Sequence, residues 1–95
     1  MPRKCKRRSI KGEFNYKYFK PRSVPMCELK EIELTPCEME AMRLGDIEEM
    51  YQAEAADQME VSRQTFGNII QSAHKKIADA LINGKAIKIT DGEEE

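Results

Sequence analysis

Ninety-five residues that are 40% hydrophobic and 6% aromatic, with no tryptophan, point to one domain with a small core that a partner subunit could help to complete. The net charge of −1 is unevenly spread. Residues 1–22 hold nine Lys/Arg against one acid, 26–60 eleven acids against two bases, 63–90 five bases against one acid, and 91–95 four acids. Three widely spaced cysteines exclude a secreted disulfide framework, and there is no signal peptide, transit pattern or membrane-length apolar run, so a cytoplasmic protein with reduced thiols and no membrane partner is expected.

Residues 1–12, MPRKCKRRSIKG, are too basic and too poor in large apolar groups to fold alone. They predict a flexible arm in which Arg3, Lys4, Lys6, Arg7 and Arg8 track phosphates or enter a minor groove; the alternative is a solvated tail. In EFNYKYFKPR (13–22), Phe14, Tyr16 and Tyr18 recur at period two, as in a strand or extended segment ending before Pro21. Such aromatics more often cover a core than stack on bases. Ile32 and Leu34 alternate with Glu31 and Glu33, a second brief extended run. Thr35-Pro36-Cys37-Glu38 then combines a Thr cap, Pro at the first helical position and a Glu that closes a capping box. This first helix is expected to run through Arg43 or a little beyond, with Met39, Met42 and Ile47 in apolar contact and Gly45-Asp46 near its end.

A second helix is expected from Met50 or Tyr51 to Met59, with Ala55 and Ala56 on its inner side. Glu60-Val61-Ser62 forms a tight turn, and the Ser62 side chain caps a third, long helix over 63–82. At about 100° per residue, Phe66, Ile69, Ile70, Ala73, Ile77 and Leu81 fall on one face. The other face carries Gln64, Asn68, Gln71 and Lys75, a strip of amides and a base without an acid. An ordinary solvated face mixes Glu with Lys, whereas amides offer the paired donor and acceptor that read base edges in a major groove. Gln64, Asn68 and Gln71 are therefore the candidate base contacts. Ser62, Arg63, Thr65, Lys75 and Lys76 are the candidate phosphate contacts, the first three lying where helix N–H groups and the helix dipole favour an anion. Two helices joined by so short a turn cross closely, which suits a residue as small as Ala56. A helical hairpin in an unrelated bundle would share the apolar face, but it has no use for the amide strip.

Asn83-Gly84 is a stop signal, and KAIKIT (85–90) alternates like a strand. A lone strand is not stable in water, so it must pair with 14–19, with 31–34 or with a second copy of the chain. The tail, residues 91–95, reads as disordered and acidic.

LTPCEMEAMRL (34–44) followed by AADQMEVSRQTFGNII (55–70) resembles the helix-turn-helix of sigma-70 region 4 and its relatives. YFKPR, LTPCEMEAMRL, EAADQMEVSRQTFGNIIQSAHKKIADAL and GKAIKI together, over roughly residues 18–90, resemble a family of small uncharacterised prokaryotic proteins predicted to bind DNA. The turn position usually filled by Gly in such motifs is Glu60. A positive φ there would cost a non-Gly residue roughly 1 kcal/mol.

Enzyme constellations are missing from the pattern. His74 is the only histidine, and no Ser/His/Asp set or Gly-rich phosphate loop can be placed. Cys5, Cys27, Cys37 and His74 lack the short CxxC spacing of a zinc site, so neither a metal nor another cofactor is expected. The sequence predicts a mainly α fold: a three-helix helix-turn-helix core over 13–90 with short flanking β-strands on its N- and C-terminal sides. The expected activity is sequence-specific binding of double-stranded DNA, without catalysis, by a homodimeric transcriptional regulator. The alternative is a sigma-like protein-interaction module that touches the transcription machinery and binds nucleic acid only nonspecifically.

Overall fold

The first helix begins where its start signals lie. In the computed structural model, which describes Ile10 and residues 17–90, the Glu38 N–H donates to Thr35 Oγ1 (3.2 Å) and the Thr35 N–H donates to Glu38 Oε1 (3.0 Å). These are the two halves of a capping box, with Pro36 leading α1 (Pro36–Met42). The helix runs on into a π-helical turn over Arg43–Ile47, where the Glu48 N–H donates to the Arg43 carbonyl. That wide turn corrects one expectation. A regular α-helix would set Ile47 on the buried side, three residues after Leu44. The extra residue of the π-turn changes the phase, and Ile47 is 74% exposed while Leu44 is buried. Met39 and Met42 are partly buried, as expected.

The second helix, α2 (Gln52–Met59), buries Ala55, Ala56 and Met59. The third, α3 (Arg63–Asn83), buries Phe66, Ala73 and Ala80, with Ile69, Ile70 and Ile77 partly covered beside them. Leu81 was expected on this face and is instead exposed. Fifteen residues at about 100° carry Leu81 roughly 60° past Phe66, toward the open side, while Ala80 falls back toward Ala73. The α3 helix ends at Gly84, which takes φ 68°, and the Lys85 N–H donates to the Ala80 carbonyl.

Three short strands complete the fold: β1 (Tyr18–Phe19), β2 (Glu31–Leu34) and β3 (Ala86–Ile89). Their order is β1-β3-β2, with β3 antiparallel to β1 and parallel to β2. The register sets Tyr18 and Glu33 on either side of Lys88, and Phe19 and Ile32 on either side of Ile87. The parallel link from β2 to β3 is a long crossover that contains all three helices. Of the partners open to the C-terminal strand, this one takes two from its own chain, β1 on one edge and β2 on the other.

Two apolar clusters hold these elements together. Cys37, Ala41, Leu44, Ala55, Ala56, Met59 and Phe66 join the three helices; Leu34, Ala73 and Ile89 join α3 to the sheet. Ile10 packs against the first cluster, so this one described residue of the expected arm touches the core. The rest of that arm and the tail from 91 lie outside the described residues. Among the described residues, no helix is long and apolar enough to cross a membrane.

Candidate functional site

The turn between α2 and α3 sets the angle at which α3 leaves the body of the protein. The Val61 N–H donates to the Ala56 carbonyl (3.0 Å) and the Glu60 N–H to the Asp57 carbonyl (3.1 Å). This is a Schellman closure, and its left-handed residue is Glu60 at φ 61° and ψ 42°. Two residues later, Ser62 Oγ accepts from the Thr65 N–H (3.0 Å) and its hydroxyl donates to Thr65 Oγ1 (2.9 Å). The cap consumes one N–H of the first turn, while the helix dipole still makes this end electropositive.

Beyond the cap, Gln64, Asn68, Gln71 and Lys75 are all exposed along one side of α3, and Arg63 is exposed at its start. Arg63, Gln64, Asn68, Gln71 and His74 form one wall of an open groove of about 820 Å³. Gly45, Asp46, Met50 and Gln52 supply the opposite wall. The walls come close because residue 45 is glycine: a β-carbon there would lie 2.8 Å from Ile70 Cδ1 and 3.4 Å from Phe66 Cζ.

Asp46 and Gln52 escaped the sequence reading. Asp46 Oδ2 lies 2.7 Å from His74 Nε2, across 28 residues of chain. The α3 strip itself has no acid, but the fold sets a carboxylate beside it. The signal available in the sequence was weak: one acid next to a glycine at an uncertain helix end.

Lys76 stands apart from the other candidate contacts. Its Nζ donates to Glu38 Oε1 (2.9 Å) and to the Glu33 carbonyl (2.8 Å), on the side of α3 that faces α1 and β2. Ser72 donates to the other Glu38 oxygen at 2.6 Å. Burial pushes the Glu38 carboxyl up. The hydrogen bonds from Ser72, the Thr35 N–H and Lys76, together with the Lys76 charge, outweigh that and hold it below the ordinary glutamate value. The cluster fastens the start of α1 to the middle of α3. On the adjoining turn, Glu40 is buried and accepts two hydrogen bonds from the Arg43 guanidinium, at 2.9 and 2.8 Å. That pairing raises the Arg43 pKa further.

Among the candidates, the structure brings Arg63, Gln64, Asn68 and Gln71 to one groove, with Ser62 and Thr65 at its head and Lys75 on the adjoining exposed strip. Arg3, Lys4, Lys6, Arg7 and Arg8 lie outside the described residues. Among the described residues, no group of three or more His, Cys, Asp or Glu side chains converges as a metal site.

These features define a small, mainly helical protein whose longest helix carries a polar face beside a short inter-helix turn. The chain belongs to the protein family of unknown function DUF134, whose profile matches residues 1–95. It is 53% identical over 92 residues to a UPF0251 protein of Caldanaerobacter subterraneus subsp. tengcongensis, an alignment covering 97% of this chain and 78% of the relative. A UPF0251 protein of Prosthecochloris aestuarii is 50% identical over 91 residues, covering 96% and 57%. One of Clostridium botulinum is 53% identical over 92 residues, covering 97% and 59%. The chain thus spans only about three fifths of the length of some of these relatives. No solved structure matches.

Proposed function

We propose that this protein binds DNA in a sequence-specific manner through a helix-turn-helix formed by α2, the Glu60–Ser62 turn and α3, and that it acts as a transcriptional regulator by binding, without catalysis. The observation that carries this reading is the row of exposed amides, Gln64, Asn68 and Gln71, on the side of α3 turned away from both apolar clusters. An α-helix fits a major groove, and Asn or Gln can pair in bidentate fashion with the N6 and N7 of adenine. Ser62, Arg63 and Thr65 stand at the electropositive end of the same helix, suited to phosphates flanking the bases. Lys75 extends the exposed strip toward the neighbouring backbone. Lys76 is assigned instead to holding α3 in place through Glu38.

Selection from a pool of random duplexes tests this directly. Enrichment of a motif containing at least one adenine is expected. Gln64→Ala or Asn68→Ala should weaken binding to the selected site by roughly 1–3 kcal/mol and leave nonspecific affinity nearly unchanged. A pool that shows salt-sensitive binding but no enrichment would sink the sequence-specific reading.

A further inference from the structure

Seven large apolar side chains are exposed among the described residues, and six of them fall into two groups of opposite charge. The first group surrounds the end of α3: Leu81 (75% exposed), Ile82 (81%), Phe19 (53%) and Tyr18. Phe19, Pro21, Leu81 and Ile87 line a shallow apolar groove there, together with Lys20 and Lys85. Residues 17–22 add Lys17 and Arg22 and contain no acid, and the Glu31 carboxylate beside them accepts a hydrogen bond from the Tyr18 hydroxyl (2.6 Å) at the margin of the group. Asp79, the acid nearest on α3, is engaged by Lys85 Nζ (2.9 Å) and Asn83 Nδ2 (2.7 Å). The second group follows the π-turn: Ile47 (74% exposed) and Tyr51 (84%). It lies among Asp46, Glu48, Glu49 and Glu54; Asp46 meets His74 (2.7 Å) and Glu48 meets Arg43 (3.7 Å), so Glu49 and Glu54 carry most of its negative rim.

The two groups occupy different places. Asp46 meets α3 at His74, seven residues before Leu81, which is roughly 10 Å along the helix axis. Large aliphatic and aromatic side chains exposed to this degree and gathered beside charges of one sign are the composition of a contact surface. Each patch has an apolar centre, four side chains in the first and two in the second, and the two rims are of opposite charge. A second copy of the chain supplies both.

We infer that the basic apolar patch of one copy, centred on Leu81 and Phe19, seats on the acidic apolar patch of a second copy, centred on Ile47 and Tyr51. The apolar centres give the contact its strength, and the Lys20 and Arg22 side against the Glu49 and Glu54 side gives it orientation and partner choice. The contact uses neither the amide strip nor any edge of β3, so it forms without DNA.

Sedimentation of the full chain, free of DNA, over a range of protein and salt concentrations tests the inference with two surface variants. Leu81→Glu spoils the basic patch and Ile47→Lys the acidic one. Both positions are about three-quarters exposed, and circular dichroism checks that the variants remain folded. The wild type should self-associate, more weakly as salt rises. Each variant alone should lose association by about tenfold or more. An equimolar mixture of the two should associate again, because each brings the patch the other has lost. A wild type that stays monomeric at high concentration overturns the inference. So does an Ile47→Lys variant that associates like the wild type, or a mixture that remains monomeric.

Discussion

Glu60 occupies a backbone position that favours glycine. At φ 61° its β-carbon crowds the following carbonyl, a strain of roughly 1 kcal/mol that the Schellman closure of α2 imposes. Glu60→Gly should therefore raise stability by up to about 1 kcal/mol, read as a higher urea midpoint with an unchanged slope. A lower midpoint would mean that the Glu60 side chain contributes more than its conformation costs.

Lys76 gives a second test on the scale of a single side chain. It neutralises a carboxylate that is only 8% exposed, although its own side chain is 34% exposed, so solvent screens part of the attraction. Lys76→Ala should destabilise the fold by roughly 1–2 kcal/mol and, under the proposed function, leave the salt dependence of DNA binding unchanged. A shallower salt slope with unaltered stability would return Lys76 to the phosphate contacts. Glu38 itself titrates below its ordinary value in the folded protein. Its contribution is complete above the unfolded value of about 4.3 and is lost as pH falls below it through the folded value. Stability measured from pH 6 to pH 3 should fall in that acid range, and Glu38→Gln should flatten the fall attributable to this group.

Among the elements, the π-turn matters most to the candidate site. It turns Ile47 outward, brings Asp46 to His74, and lets Gly45 press against Ile70 and Phe66. A methyl group at residue 45 would displace the Ile70 side chain, whose far end is the nearest atom. Gly45→Ala should thus destabilise by about 1 kcal/mol, the low end for overpacking, and should also shift α3 relative to α1. Amide chemical-shift changes that extend along α3 to Gln71 would support this; changes confined to residues 43–47 would count against it. The starts of α1 and α3 and the end of α3 were legible in the sequence because each is decided within about four residues: the Thr35–Glu38 box, the Ser62 cap and the Gly84 stop. The phase inside a helix is a longer bookkeeping problem. Ile47 was lost to one extra residue in a turn, and Leu81 to angular drift accumulated over fifteen residues.

At the level of the molecule, β3 is the keystone of the sheet. It lies between β1 and β2, and its Ile89 joins Leu34 and Ala73 in the cluster that ties the sheet to α3. Truncation after Asn83 should therefore abolish cooperative unfolding and reduce helical content, in addition to any effect on association. A truncated chain that keeps its far-ultraviolet spectrum and a sharp melt would show that the helices are stable without the sheet.

The sequence by itself determined the three helices and their caps, the tight turn, the polar strip on α3, the presence of a C-terminal strand and the separation of charge along the chain. All of these follow from propensities, periods and side chains that act over a few residues. Tertiary structure alone decided that β3 enters between β1 and β2, that Asp46 meets His74 across 28 residues, and that Lys76 and Ser72 close on Glu38 across 38 and 34. These pairs form only after α1, α2 and α3 have buried their apolar faces against one another. Their geometry is a product of that packing, and no local pattern of residues encodes it.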